Sequence, residues 1–82
     1  MELKDTVDLM CSEHWANRFL AEYRQTKIRY ERLHQMIVKA HAGTLDFEPK
    51  SPVCLLEAQA AAMGEYLWIL EIRAEKEGLD VW

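Results

Sequence analysis

Apolar and small side chains recur along the first half of the chain at alternating spacings of four and three residues. They are Phe19, Tyr23, Thr26, Tyr30, Leu33, Ile37 and Ala40. This heptad spacing is typical of a helix that packs against another helix along one narrow stripe, here called the seam. Ser12 is expected to cap the start of the helix, and Gly43 stands where helices commonly end on a left-handed residue. The pattern predicts a helix over about residues 13–42.

The same spacing returns in the second half of the chain. The positions are Leu56, Ala60, Met63, Leu67, Leu70 and Ala74. Ser51 and Pro52 predict an N-cap followed by the first helical residue, because a proline there loses no hydrogen bond. Gly78 is expected to end this helix. The 82 residues therefore predict one all-α domain over residues 1–82, an antiparallel two-helix hairpin with its second helix over about residues 52–77.

The second helix has more apolar surface than one seam can cover. The additional positions are Leu55, Ala58, Ala62, Tyr66, Trp68, Ile69 and Ile72. A helix that is apolar nearly all round is normally buried all round, and a single core of this size supplies little stability. We therefore expect a homo-oligomer in which hairpins pair into a helical bundle. The alternative is that the first residues and Trp82 fold back over the excess surface.

Charge is distributed unevenly along the chain. The formal net charge is −4, which disfavours binding to duplex nucleic acid, since that binding depends on neutralising phosphates. Most of the ten Lys and Arg residues nevertheless lie between Arg18 and Lys39, a stretch whose acidic residues are Glu22 and Glu31. The sequence thus predicts a cationic first helix within an acidic chain. The absence of a signal-peptide pattern and of a long uninterrupted apolar run favours a cytoplasmic protein that does not enter a membrane.

The two flanks of the first helix carry the residues that best fit a ligand. One stripe combines Tyr23, Lys27, Tyr30, His34 and His41, and the other flank has Arg18, Gln25, Arg29 and Arg32. Aromatic rings stack on bases, and Arg or Lys hold phosphate oxygens, so a small anionic nucleotide bound between helices is the hypothesis. In it Tyr23, Tyr30 and Trp68 stack on the base. The phosphate ligands are Arg18, Lys27, Arg29 and Arg32, with His34 as a hydrogen-bond donor.

A simpler interpretation of the same residues requires no ligand. Tyrosines at the edge of a seam usually belong to the core, with the hydroxyl group reaching solvent. Cations that flank a seam usually pair with glutamates of a partner helix. The sequence alone leaves both interpretations open.

Signals for catalysis and metal binding are weak. Cys11 and His14 have a chelating spacing and Cys54 is a third candidate, but a zinc site needs about four ligands. The chain has no Gly-rich phosphate loop, no Gly-x-Ser-x-Gly elbow and no His-Glu-x-x-His motif. We expect a protein that is not an enzyme and holds no metal or cofactor, in which Cys54 is a buried thiol.

Three stretches form a pattern that goes beyond helix periodicity. They are Tyr30-Glu31-Arg32-Leu33, Ala42-Gly43-Thr44-Leu45-Asp46-Phe47 and Gln59…Met63-Gly64-Glu65-Tyr66-Leu67…Leu70-Glu71…Arg73-Ala74. This pattern, over about Tyr23 to Gly78, resembles a family of small helical-hairpin proteins of tailed bacteriophages and prophages, which includes crAss-like phage members. In size and architecture the chain is also similar to phage sponge proteins, which bind nucleotide signals of bacterial immunity.

These resemblances imply a phage anti-defence protein of the host cytoplasm. Such a protein sequesters a small nucleotide immune signal without turnover, and the lack of catalytic motifs agrees with that role. The alternative is a small interaction protein that inhibits a host defence protein by direct binding through its exposed apolar face. A purely structural oligomer ranks third.

Overall fold

The described part of the chain folds into a hairpin of two long helices. The structure is a computed structural model that describes Leu3 and residues 14–82. Helix α1 covers Trp15–Ala42 and helix α2 covers Val53–Glu77, and the described residues contain no strand. The sequence correctly predicted the all-helical class and both helices.

The two helices run antiparallel. Glu22 of α1 accepts a hydrogen bond from Tyr66 of α2, whereas His41, near the end of α1, lies 2.6 Å from Glu57 at the start of α2. Contacts between the helices therefore join early residues of one helix to late residues of the other. The connector, residues 43–52, closes the end of the hairpin at which His41 lies.

Both helix starts differ slightly from the prediction, and α1 ends as predicted. Helix α1 begins at Trp15 with His14 as its N-cap; the predicted cap, Ser12, lies outside the described residues. Pro52 is the N-cap of α2 and not its first helical residue, because its ψ of 146° is extended although its φ of −59° would suit a helix. At Gly43 the backbone has φ 76°, and its N–H donates to the Ala40 carbonyl. This left-handed residue terminates α1.

The hydrophobic core lies at the end of the hairpin opposite the connector. Its buried members are Phe19, Tyr23, Leu67, Leu70, Ala74 and Val81. Toward the connector the seam residues Tyr30, Leu33 and Met63 are only half-buried. The predicted seam has the correct phase, but it is fully buried at one end only. At that end Val81 and Leu79 fold back from the end of α2 and pack against both helices, whereas toward the connector the described residues offer no third segment.

The side of α2 that faces away from α1 is exposed and largely apolar, and it also carries Glu65. We call this surface the outer face; it comprises Leu55, Ala58, Ala62, Trp68, Ile69 and Ile72. Leu55 is 58% exposed and Trp68 is 60% exposed. By length and composition α2 is apolar enough to cross a membrane, as core helices of some water-soluble proteins also are. The described part of the chain leaves the outer face without a neighbour.

Candidate functional site

The residues predicted to bind a ligand are separated into several places by the fold. Arg18 and Arg29 line one groove, and Tyr23 and Lys27 line another. Arg32 lies in a third groove beside the connector. Tyr30 and His34 stack on each other along α1, and Trp68 stands on the outer face of α2. The eight residues do not converge on one site within a single chain.

The groove that brings two predicted arginines together lies on one flank of α1. It has a volume of about 500 Å³ and is lined by Arg18, Glu22, Gln25, Thr26 and Arg29. We call it the Arg18–Arg29 groove. The spacing of 18, 25 and 29 along a helix places these side chains on the same side of α1. Two guanidinium groups, an amide and a hydroxyl group make this groove rich in hydrogen-bond donors.

The acidic residue of that groove is already engaged. The hydroxyl group of Tyr66 donates a hydrogen bond to the Glu22 carboxylate across the two helices. This hydrogen bond, followed by burial, raises the pKa of Tyr66. Because the carboxylate accepts this bond, part of its capacity to pair with the arginines is used by α2. Among the lining residues the two arginines outnumber the single carboxylate.

Tyr23 is part of the core. Its side chain is 1% exposed, and its hydroxyl group donates a 2.6 Å hydrogen bond to Oε2 of Glu71. Burial, and then the hydrogen bond to the negatively charged Glu71, raise the pKa of Tyr23 well above its ordinary range. Stacking on a base, the role predicted for Tyr23, would require the ring to leave Leu70 and Phe19.

A second groove lies on the opposite flank of α1. It has a volume of about 320 Å³ and is lined by Tyr23, Arg24, Lys27, Ile28, Glu31, Val81 and Trp82. We call it the Trp82 groove. Arg24, Glu31 and Trp82 were not among the predicted site residues. The spacing of 24, 28 and 31 could have identified the stripe on α1, but the sequence does not say where Trp82 folds.

Tyr30 and His34 form an aromatic pair farther along α1. Their ring centroids are 6.2 Å apart and their planes differ by 16°. Gly64 of α2 makes room for this arrangement, because a Cβ atom there would lie 3.3 Å from Cε1 of Tyr30. The close approach of α2 thus holds Tyr30 at the helix–helix boundary, and His34 on its outer side is exposed.

The described residues contain no cluster of candidate metal ligands. Among residues 14–82 and Leu3, no three His, Cys, Asp or Glu side chains are close enough to hold a metal ion. Cys11 lies outside the described residues, and His14 is exposed at the start of α1. The expectation of a buried Cys54 is wrong, because this free cysteine is exposed in the first turn of α2. At this end of the hairpin α1 packs against only one side of α2, and Cys54 lies on another side.

Comparison with known proteins identifies the family. The family model described as Sequestin matches residues 13–76, which covers both helices and the connector almost completely. No curated protein and no solved structure matches the chain significantly. The name of the family denotes sequestration, a binding role and not a catalytic one. Because the match spans well over half of the sequence, the chain belongs to the Sequestin family.

Proposed function

We propose that this protein is a phage anti-defence protein that binds a small anionic nucleotide signal of bacterial immunity and withholds it from its receptor without turnover. The host cytoplasm is the expected location. Membership of a sequestering family supports a binding role. The distribution of charge supports an anionic ligand, because the cations concentrate on α1 although the net charge of the chain is −4.

The Arg18–Arg29 groove carries this proposal. Both guanidinium groups line the same volume of about 500 Å³, which lies within the range of small-molecule sites. Arginine binds phosphate oxygens in a bidentate manner and remains charged at any physiological pH. The Gln25 amide and the Thr26 hydroxyl group add donors for ribose or base atoms. We assign the phosphate groups of the nucleotide to Arg18 and Arg29.

Other predicted residues have secondary places in this proposal. Lys27 and Arg32 contribute positive potential from the two other grooves. The stacked pair of Tyr30 and His34 offers an exposed ring edge on α1. Trp68 lies on the other helix, so it can meet a ligand held by α1 only through a second copy of the chain.

We propose in addition that the protein is a homo-oligomer that associates through the outer face of α2. The core of a single hairpin is confined to one end, so much apolar surface remains uncovered. Large exposed apolar patches on water-soluble proteins usually mark an interface. Covering this face with a second α2 gives the four-helix arrangement expected for paired hairpins.

Thermal denaturation in the presence of candidate nucleotides tests the proposed function. The panel contains cyclic dinucleotides, cyclic trinucleotides and derivatives of ADP-ribose. A ligand that binds the folded state raises the melting temperature by mass action. The double variant Arg18→Ala/Arg29→Ala should lose this effect, whereas Lys50→Ala/Lys76→Ala removes the same charge elsewhere and should keep it. Recovery of unaltered ligand after denaturation, measured by mass spectrometry, tests the absence of turnover.

The outcomes separate the two function classes. No shift with any nucleotide would refute sequestration of a nucleotide signal. If the groove variant and the charge-matched control lose the ligand-induced rise in melting temperature equally, the effect of the arginines is a general electrostatic one and does not mark a site. The second candidate, direct inhibition of a host defence protein, is favoured by the outer face alone. It predicts that no nucleotide raises the melting temperature and that the protein is a monomer in light scattering. The outer face is then available to a host protein.

A further inference from the structure

The four residues after Gly78 fold back onto the hairpin. Leu79 donates its N–H to the Ala74 carbonyl at 2.8 Å, which turns the chain at the end of α2. Val81 then enters the core between the helices and is buried. Residues 79–82 are therefore anchored by packing, and the position of Trp82 follows from that anchor.

Trp82 is oriented but not covered. Its backbone N–H donates to Oδ1 of Asp80 at 3.0 Å, and its indole Nε1–H donates to Oε1 of Glu75 at 3.2 Å. These bonds hold both ends of the residue, and yet the residue is 73% exposed. A tryptophan that only completed a core would have its ring buried. Here the ring is held out beside the groove.

Positive charge lies next to this ring. Arg24 and Lys27 line the same groove as Trp82, and Lys27 Nζ is 5.7 Å from the centroid of the Tyr23 ring. Glu31 adds one acceptor at the groove, and Ile28 adds apolar surface. The other carboxylates beside Trp82, those of Asp80 and Glu75, accept the hydrogen bonds that hold this residue in place. An exposed aromatic ring beside two cations is the combination that binds a planar ring joined to a phosphate group.

We propose that the Trp82 groove is a second binding site, for a nucleoside monophosphate or a similar aromatic phosphate. Trp82 stacks on the planar base, and Arg24 and Lys27 hold the phosphate group. Glu31 accepts a hydrogen bond from an amino or hydroxyl group of the ligand. The site shares no lining residue with the Arg18–Arg29 groove and lies on the other flank of α1, so it does not depend on the proposed function.

Fluorescence of a single tryptophan tests the stacking contact. The chain has three tryptophans, so Trp15→Phe/Trp68→Phe leaves Trp82 as the only reporter. Adenosine 5′-monophosphate should quench it saturably when the indole is excited where adenine does not absorb. Adenosine lacks the phosphate and ribose 5-phosphate lacks the base. Each should bind at least about tenfold more weakly than adenosine 5′-monophosphate.

Variants locate the phosphate contact. Adding Arg24→Ala/Lys27→Ala to the reporter should weaken binding of adenosine 5′-monophosphate about tenfold, because both phosphate ligands are lost. Lys50→Ala/Lys76→Ala removes equal charge at exposed positions outside the groove and should leave binding unchanged. Arg18→Ala/Arg29→Ala should also leave it unchanged, which keeps this site distinguishable from the proposed nucleotide-signal site.

Calorimetry gives an independent measurement that needs no reporter. Wild-type protein and Trp82→Leu are titrated with adenosine 5′-monophosphate, and circular dichroism confirms that both retain their helices. Weaker binding by the variant supports the proposal. Equal affinity, absence of saturable quenching, or loss of quenching in the Arg18→Ala/Arg29→Ala background would each overturn it.

Discussion

The hydrogen bond between Tyr23 and Glu71 is a part-buried polar link between the two helices. Tyr23 is 1% exposed, and its hydroxyl group is 2.6 Å from the Glu71 carboxylate. Tyr23→Phe removes the donor and leaves the rest of the ring in place. The packing of the core around it should therefore be preserved, and the change in stability should report the lost hydrogen bond.

The expected magnitude follows from the charge and the burial. A hydrogen bond to a charged group contributes about 1.5–3 kcal/mol, and Glu71 is itself half-buried, so it cannot be fully hydrated after the change. A loss of about 2 kcal/mol lowers the melting temperature of a domain this small by roughly 8–16 °C. We therefore expect Tyr23→Phe to be clearly less stable than the wild type at neutral pH.

Tyr66→Phe is the matched control. It removes the other interhelical Tyr–Glu hydrogen bond, to Glu22, at an exposed position. Water can replace an exposed partner, so this loss should be at most about 1 kcal/mol. Urea denaturation of the three proteins at one protein concentration measures both changes. Equal stability of Tyr23→Phe and Tyr66→Phe would refute the argument that burial gives the Tyr23 hydrogen bond its strength.

Three further changes test the core, a helix end and the alkaline response. Leu70→Ala should cost about 2–5 kcal/mol in urea denaturation, whereas exposed Leu55→Ala should cost far less. Gly43→Ala should lower the unfolding free energy by about 1–2 kcal/mol, and with it the melting temperature, because an alanine is strained at the φ of +76° that Gly43 adopts. No atom lies within 4 Å of the new Cβ, so a steric clash adds nothing to this cost. Because its pKa is raised, Tyr23 stabilises the fold below about pH 10 and less above it. Above that pH, wild-type unfolding free energy should decline more steeply than that of Tyr23→Phe.

The helices could be predicted because their signals are local. The seam positions have heptad spacing, and Gly43 and Gly78 end the helices in the left-handed conformation that their sequence positions suggested. The extent of the core could not be predicted from this pattern. Spacing shows which side of a helix is apolar, but not where a third segment lies, and it is Val81 that completes the core.

The candidate site was harder to predict than the fold, for a related reason. The sequence showed that Arg18 and Arg29 share a flank of α1, and the structure places both in one groove. Helical spacing does not indicate how far a residue is buried, so Tyr23 was predicted to stack on a base although it lies in the core. The Trp82 groove depends on a segment without periodicity. Its position follows from tertiary packing and not from local pattern.

The two helices have different surfaces, and this difference suggests how an assembly would be organised. Helix α1 carries cationic grooves on both flanks, whereas the outer face of α2 is largely apolar. If two copies associate through α2, both α1 helices remain accessible, so association and ligand binding do not compete. Ile69→Glu places a charge in that interface, and the variant should be a monomer in light scattering. If the Arg18–Arg29 groove is complete within one chain, that variant should still bind the nucleotide; loss of binding would show that a second copy contributes to the site.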